Sequence, residues 1–147
     1  RLYKIASTMT EKPKTGQVVN YPYLWARQAN DGETEGRKPR PCAVVLALKN
    51  KSGLTEMRLC AITSQKPQSG TIGLQVPDTE KRRAGLEASV PLWVIVDEHN
   101  VDIYERSYYF APDSTLGTFS SKFTKELQSL MISTIQAHIS QYVKRSD

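Results

Sequence analysis

The chain has 147 residues with 20 Lys and Arg against 15 Asp and Glu, a formal net charge of +5 and a pI of 9.3. That length suits one domain with one core, and the basic balance favours anionic partners, nucleic acid first, although many mildly basic domains bind nothing acidic. No apolar run reaches the length of a membrane span, two cysteines outside any CxxC pair with no His cluster argue against a four-ligand zinc site, and without an export signal the expected location is the cytoplasm.

Residues 1–15 are polar and lysine-containing and are expected to form a loosely held, flexible arm ahead of a single domain over 16–147. Gln17 to Tyr21 predicts a short strand opened by Gly16, with Tyr23, Leu24 and Trp25 extending it past Pro22 at an edge or bulge. Ala26 to Pro41 is a long charged loop of the kind that is functional or mobile. Cys42 to Leu48 is the clearest strand. Asn50-Lys51-Ser52-Gly53 supplies turn chemistry, and Met57 to Ile62 returns as the second arm of a hairpin. Cys42 and Cys60 lie within these two apolar runs, which favours buried, reduced thiols over a disulfide.

Gln65 to Gly70 is a polar loop, Thr71 to Val76 an alternating strand, and Asp78 to Ala84 a basic helical turn with Asp78 as N-cap. Leu92 to Val96 is a second strong strand, expected to pair with Val101 to Tyr104 across a Glu98-His99-Asn100 turn. Phe119, Phe123, Leu127, Leu130, Met131, Ile135, His138 and Tyr142 share one helical face. They predict a long C-terminal helix capped by Ser120 or Ser121, with Lys144 and Arg145 near its end. The sum is a mainly β domain, a small curled antiparallel sheet with a helix packed on it.

The chemistry gathers at two strand ends. Gly36-Arg37-Lys38-Pro39-Arg40-Pro41 runs into the first long strand, so Arg40 stands at the lip of a rigid element beside a φ-restricting proline. A guanidinium there suits phosphate; the alternative is a surface Arg in a loop that must be polar. Leu59 to Ile62 ends in Thr63-Ser64-Gln65. Hydroxyls at a strand end commonly bond local backbone, yet beside Arg40 they also complete an oxyanion site. Glu35, if the loop folds back, orients the guanidinium or takes a proton; otherwise it is a solvated acid. Arg37 and Lys38 contribute electrostatic field. Tyr21, Tyr23 and Trp25 either stack on unpaired bases or fill the core. His99 is read as a turn residue and His138 as a packed histidine. Lys81-Arg82-Arg83 is a solvated helix face or a phosphate contact.

The order of these pieces resembles the PemK/MazF family of toxins from toxin–antitoxin pairs. The likeness rests on Gly16-Gln17-Val18-Val19, on Glu35-Gly36 leading to Arg40-Pro41 and Ala43-Val44-Val45-Leu46, and on Leu59 to Ile62 followed by Thr63-Ser64. Gly85-Leu86, Trp93 to Glu98 and a helix after Leu116-Gly117 complete it. The resemblance implies a small, dimeric β-barrel that cleaves single-stranded RNA without a cofactor or metal, leaving 2′,3′-cyclic phosphate and 5′-hydroxyl ends. Its catalytic positions fall on Arg40, Thr63 with Ser64, and Glu35. RNA contacts would come from Arg37, Lys38, Gln65, Tyr23 and Trp25. The implied partner is an antitoxin with an acidic, disordered tail. The loop Tyr21-Pro22-Tyr23-Leu24-Trp25 and Cys42 after Arg-Pro depart from the family pattern. The alternatives are a non-catalytic nucleic-acid- or protein-binding module on the same fold and an inhibitor of a protein target.

Overall fold

A computed structural model describes residues 12–34 and 38–146. Its elements are β1 (Gln17–Tyr21), α1 (Ala26–Asn30), β2 (Arg40–Lys49), β3 (Thr55–Thr63), β4 (Gly73–Gln75) and α2 (Asp78–Arg83). They are followed by β5 (Trp93–Ile95), β6 (Glu98–Ile103), a 3-10 turn (Tyr104–Arg106), β7 (Thr115–Thr118), α3 (Ser121–Gln136) and β8 (Gln141–Lys144). The strands form one eight-stranded sheet in the order β4-β5-β3-β2-β1-β7, with β6 also on β3 and β8 beside β6. All pairings are antiparallel except β6 with β8. The expected mainly β class and C-terminal helix are present. The closed barrel is not: the sheet is open, with β4 and β7 at its ends and a fork at β3.

The fork has a countable cause. β5 and β6 both run antiparallel to β3, so they form one path along it rather than the hairpin expected across Glu98-His99-Asn100. Between the Ile62–Val94 and Leu59–Asn100 pairs, β3 advances three residues and its partner advances six. The three extra residues bulge out around Asp97. Backbone and side-chain bonds pin this bulge: Val96 N–H donates to Ile72 O at 3.0 Å, Gln141 N–H to Asp97 O at 2.9 Å, and Thr134 Oγ1 to Val96 O at 3.3 Å.

The first part of the apolar run of β2, Cys42 to Val45, is buried on both faces, as a two-sided strand requires, while Leu48 at its far end is exposed. On one side Val18, Ala43, Val45, Cys60, Ile62, Val94 and Val96 pack under Phe119, Phe123, Leu127 and Met131, the residues that dock α3. On the other, Val19, Tyr21, Cys42, Val44, Met57, Leu59 and Ala61 pack against Tyr23, Trp25, Tyr109 and Phe110. Cys42 and Cys60 are free buried thiols on opposite faces of the sheet, and burial raises the pKa of both. The β2–β3 turn forms as its residues predict: Asn50 Oδ1 accepts from the N–H groups of Ser52 and Leu54 at 2.9 and 3.0 Å. α3 is tied to β2 where the strand bulges between Val44 and Leu46, for there Gln128 Nε2 donates to Val45 O at 3.0 Å.

Several local expectations are corrected. α3 starts under Ser120, whose Oγ accepts from Phe123 N–H, but it stops at Gln136. His138 takes a φ of +58° and the N–H groups of Ile139 and Ser140 both return to Thr134 O, which turns the chain into β8. His138 and Tyr142 are therefore exposed and outside the helix. Lys144 lies in β8, and Arg145 is buried. Pro77 rather than Asp78 occupies the N-cap of α2; Asp78 pairs instead with Lys81 at 3.1 Å. Lys81 is itself buried, donating to Ala88 O and Val90 O at 3.2 and 2.8 Å, so only Arg82 and Arg83 of that basic run are solvated. Residues 1–11 of the expected flexible arm lie outside the described residues; Lys12 pairs with Glu105 at 3.1 Å.

β7 approaches α2 through Gly117, where a Cβ would lie 2.5 Å from Ala84 C and 2.6 Å from Arg83 O. Both obstacles are backbone and cannot rotate away. Gly117→Ala should cost about 1–3 kcal/mol, read as a lower urea midpoint with an unchanged slope.

Candidate functional site

Arg40 is the first residue of β2 and Thr63 the last of β3. Cys42 faces Ala61 in that hairpin, and two residues further along each strand lie Arg40 and Thr63. Both open into a cavity of about 1090 Å³ at the fork of the sheet. Lys38, Ser64, Gln65 and Trp25 line it too, so most of the predicted site residues share one concavity. Thr63 Oγ1 accepts from Gln65 N–H at 3.1 Å, which leaves its hydroxyl hydrogen to donate into the cavity. Ser64 and Gln65 are exposed, as is Lys38 at the rim. The polar loop Gln65 to Gly70 also supplies Lys66, Gln68 and Gly70 to the lining.

Trp25 is half-buried and carries two guanidinium groups against its indole ring, Arg40 at 5.4 Å and Arg27 at 5.5 Å. Cation–π contact of this kind holds a charge in place without neutralising it. Among the described residues no carboxylate forms an ion pair with Arg40. Glu35 and Arg37 lie outside the described residues.

Tyr23 is a correction. It is 2% exposed, sits edge-on to Trp25 and donates its O–H to Glu98 Oε2 at 3.0 Å. It is a buried support for the indole, so it offers no ring for a base to stack on. The alternation Val19, Tyr21, Tyr23 along one face was the available signal for that burial.

The residues that the sequence reading missed are Asp97 and Glu98, both on the cavity wall. Asp97 belongs to the bulge and Glu98 opens β6, and their position depends on a pairing that no local pattern displays. Asp97 Oδ2 accepts from Ile72 N–H at 3.2 Å. Glu98 Oε2 accepts from Tyr23 O–H and from Ala26 N–H, both at 3.0 Å. Burial raises the pKa of Glu98 above the ordinary value and the adjacent Asp97 adds to the rise, while those two hydrogen bonds and Arg27 pull against it. A partly desolvated carboxyl group of this kind is suited to proton transfer. Among the described residues no group of three or more His, Cys, Asp or Glu is placed to hold a metal ion.

β6 positions the whole aromatic segment. Its residues Glu98, Asn100 and Asp102 alternate along one face. Glu98 holds Tyr23 and Ala26. Asn100 Oδ1 accepts from Leu24 N–H at 2.9 Å and its Nδ2 donates to Leu24 O at 2.7 Å. Asp102 Oδ2 accepts from Tyr21 O–H at 2.7 Å. Arg145 closes the cluster, with Nη1 donating to Pro22 O at 2.7 Å and Asn100 Oδ1 at 3.0 Å, and its guanidinium 4.0 Å from the Tyr109 ring centroid.

His99, on the opposite face of β6, is buried and in a strand, not a turn. Arg58 Nη1 lies 2.8 Å from its Nε2 and Ser140 Oγ 3.4 Å from its Nδ1. Because guanidinium only donates, Nε2 is the acceptor and Nδ1 carries the hydrogen.

No family model matches this chain, and no curated protein matches it significantly. No helix among the described residues is long and apolar enough to cross a membrane.

Burial, with Arg58 beside it, pushes the pKa of His99 down from 6.5 to about 4. The unfolded chain therefore binds the proton first, so the His99 contribution is complete above pH 6.5 and fades as pH falls towards 4. His99→Gln should be less stable than the parent at pH 7.5, with the gap narrowing steadily to pH 4.5 in denaturant titrations. A gap independent of pH would refute the assignment.

Proposed function

We propose that this protein is an endoribonuclease toxin of the PemK/MazF kind, cutting single-stranded RNA without a metal to leave 2′,3′-cyclic phosphate and 5′-hydroxyl ends. The observation that carries the reading is the convergence of Arg40, Thr63, Ser64 and Glu98 on one cavity rimmed by Lys38 and Lys66. On this reading the open, forked sheet is a variation on the family's barrel. The protein works as a cytoplasmic homodimer, and a cognate antitoxin with an acidic, disordered tail neutralises it.

The chemistry assigns a different task to each group. A guanidinium donates hydrogen bonds and has no acceptor to offer, so Arg40 stabilises charge on the phosphorane and does not serve as the base. Thr63, with its hydroxyl hydrogen directed by the Gln65 bond, and Ser64 orient a non-bridging oxygen. Glu98 uses Oε2 for Tyr23 and Ala26, which leaves Oε1 to accept the proton of the 2′-hydroxyl. The 2′-oxygen then bonds to phosphorus, the P–O5′ bond breaks, and the 5′-oxygen takes a proton from Lys38 or solvent. DNA lacks the nucleophile and should bind without being cut.

Incubation with single-stranded RNA in chelator should yield fragments with cyclic phosphate ends. Arg40→Ala should reduce the cleavage rate by about 10²–10³-fold, the usual effect of losing one charge-stabilising donor, while RNA affinity falls only modestly. Affinity with no cleavage in the parent would instead assign a non-catalytic binding module.

Glu98→Gln keeps an acceptor for Tyr23 and Ala26 but cannot take a proton, so cleavage should fall by about 10²–10⁴-fold. In the parent the rate should rise with pH through a midpoint above 4.5, the ordinary value for Glu, and this limb should vanish in the variant. A limb that survives Glu98→Gln would remove Glu98 as the base.

A further inference from the structure

The cavity lining carries both signs of charge: Arg27, Lys38, Arg40 and Lys66 are cationic, and Glu87, Asp97 and Glu98 are acidic. An acid in a site that must hold an anion repels the phosphate unless a donor on the same ligand meets it. We infer that Asp97 is a specificity-determining residue that reads the hydrogen-bonding edge of a nucleobase, selecting bases with an exocyclic amine over uracil. This rests on the ribonuclease reading above.

Three features carry it. Asp97 is held at fixed orientation: Ile72 N–H binds Oδ2 at 3.2 Å and Gln141 N–H binds its backbone carbonyl at 2.9 Å. Oδ1 has no partner among the described residues, and a carboxylate accepts at several lone-pair positions. Finally, Glu98 has one oxygen committed to Tyr23 and Ala26 and the other assigned to proton transfer, and Glu87 is exposed and bonded to Ser89, so Asp97 is the half-buried carboxylate of the lining with an oxygen left for a ligand. Cytosine and adenine each present an amine to such an acceptor, and guanine presents an amine beside a ring N–H. Uracil has a single N–H flanked by two carbonyl oxygens, which a carboxylate repels. Asparagine at this position would still accept from Ile72 but would offer both donor and acceptor to a base.

The test is fluorescence anisotropy and cleavage with oligo(A), oligo(C) and oligo(U) ribonucleotides of equal length, on the parent and Asp97→Asn. The parent should bind and cut oligo(A) and oligo(C) at least about tenfold better than oligo(U), and Asp97→Asn should compress that ratio below about threefold. A substrate-side arm needs no protein variant: replacing adenosine by purine riboside, which lacks the amine, should weaken binding to the parent about tenfold. Equal binding of those two oligomers, or an unchanged ratio in Asp97→Asn, overturns the inference. Cleavage without base preference overturns it while leaving the ribonuclease reading intact. Amine-dependent binding with no cleavage of any oligomer overturns the ribonuclease reading and leaves Asp97 as a base reader. No binding to any oligomer overturns both.

Discussion

The architecture depends on one row of polar side chains, buried at Asn100 and Asp102 and half-buried at Glu98. Glu98, Asn100 and Asp102 project from one face of β6 and take up the polar groups of Tyr21, Tyr23, Leu24 and Ala26. Buried polar groups are costly when unpaired, so such a row tolerates few alternative arrangements. It forces the segment after β1 to fold across the sheet, which brings Trp25 to the cavity and gives Arg40 a surface to rest on. Ser107 and Ser146 complete the partners of Asp102, and Arg145 adds a backbone anchor at Pro22.

The same strand makes the site in a second way. Three surplus residues between the Val94 and Asn100 pairs have no place in the ladder with β3, and this excess places Asp97 and Glu98 on the cavity that Arg40 and Thr63 also line. Fold and site thus share a cause: the path that opens the sheet also supplies Asp97 and Glu98 to the cavity. Cations and carboxylates in one lining suit a ligand bearing both a phosphate and a hydrogen-bond donor.

The hairpin was legible because its information is local. Asn50 to Gly53 sets the turn, the turn sets the register, and the register brings residues forty and sixty-three to the same end. The α3 docking face was legible as far as Met131 because its spacing is that of a helix. Beyond it, Ile135, His138 and Tyr142 continue the period in the sequence, but bonds to Thr134 O and the left-handed residue at 138 end the helix, and the last segment pairs with β6. Parallel pairing between distant segments leaves no periodic trace. The acidic pair was hidden for the same reason, since its exposure to the cavity follows from two strands sharing one edge of β3. Tyr23 was misplaced although the alternation of Val19 and Tyr21 pointed inward.

On the proposed function, a phosphate of single-stranded RNA sits between the guanidinium of Arg40 and the hydroxyl of Thr63. A crystal structure with a short RNA whose 2′-hydroxyl groups are methylated measures this directly, because the nucleophile is blocked and the complex persists. A phosphate within hydrogen-bonding distance of both groups, with Glu98 facing the methylated oxygen, is the predicted result. RNA bound on another face, or in the cavity with Arg40 still stacked on Trp25 and no phosphate beside it, would contradict the account.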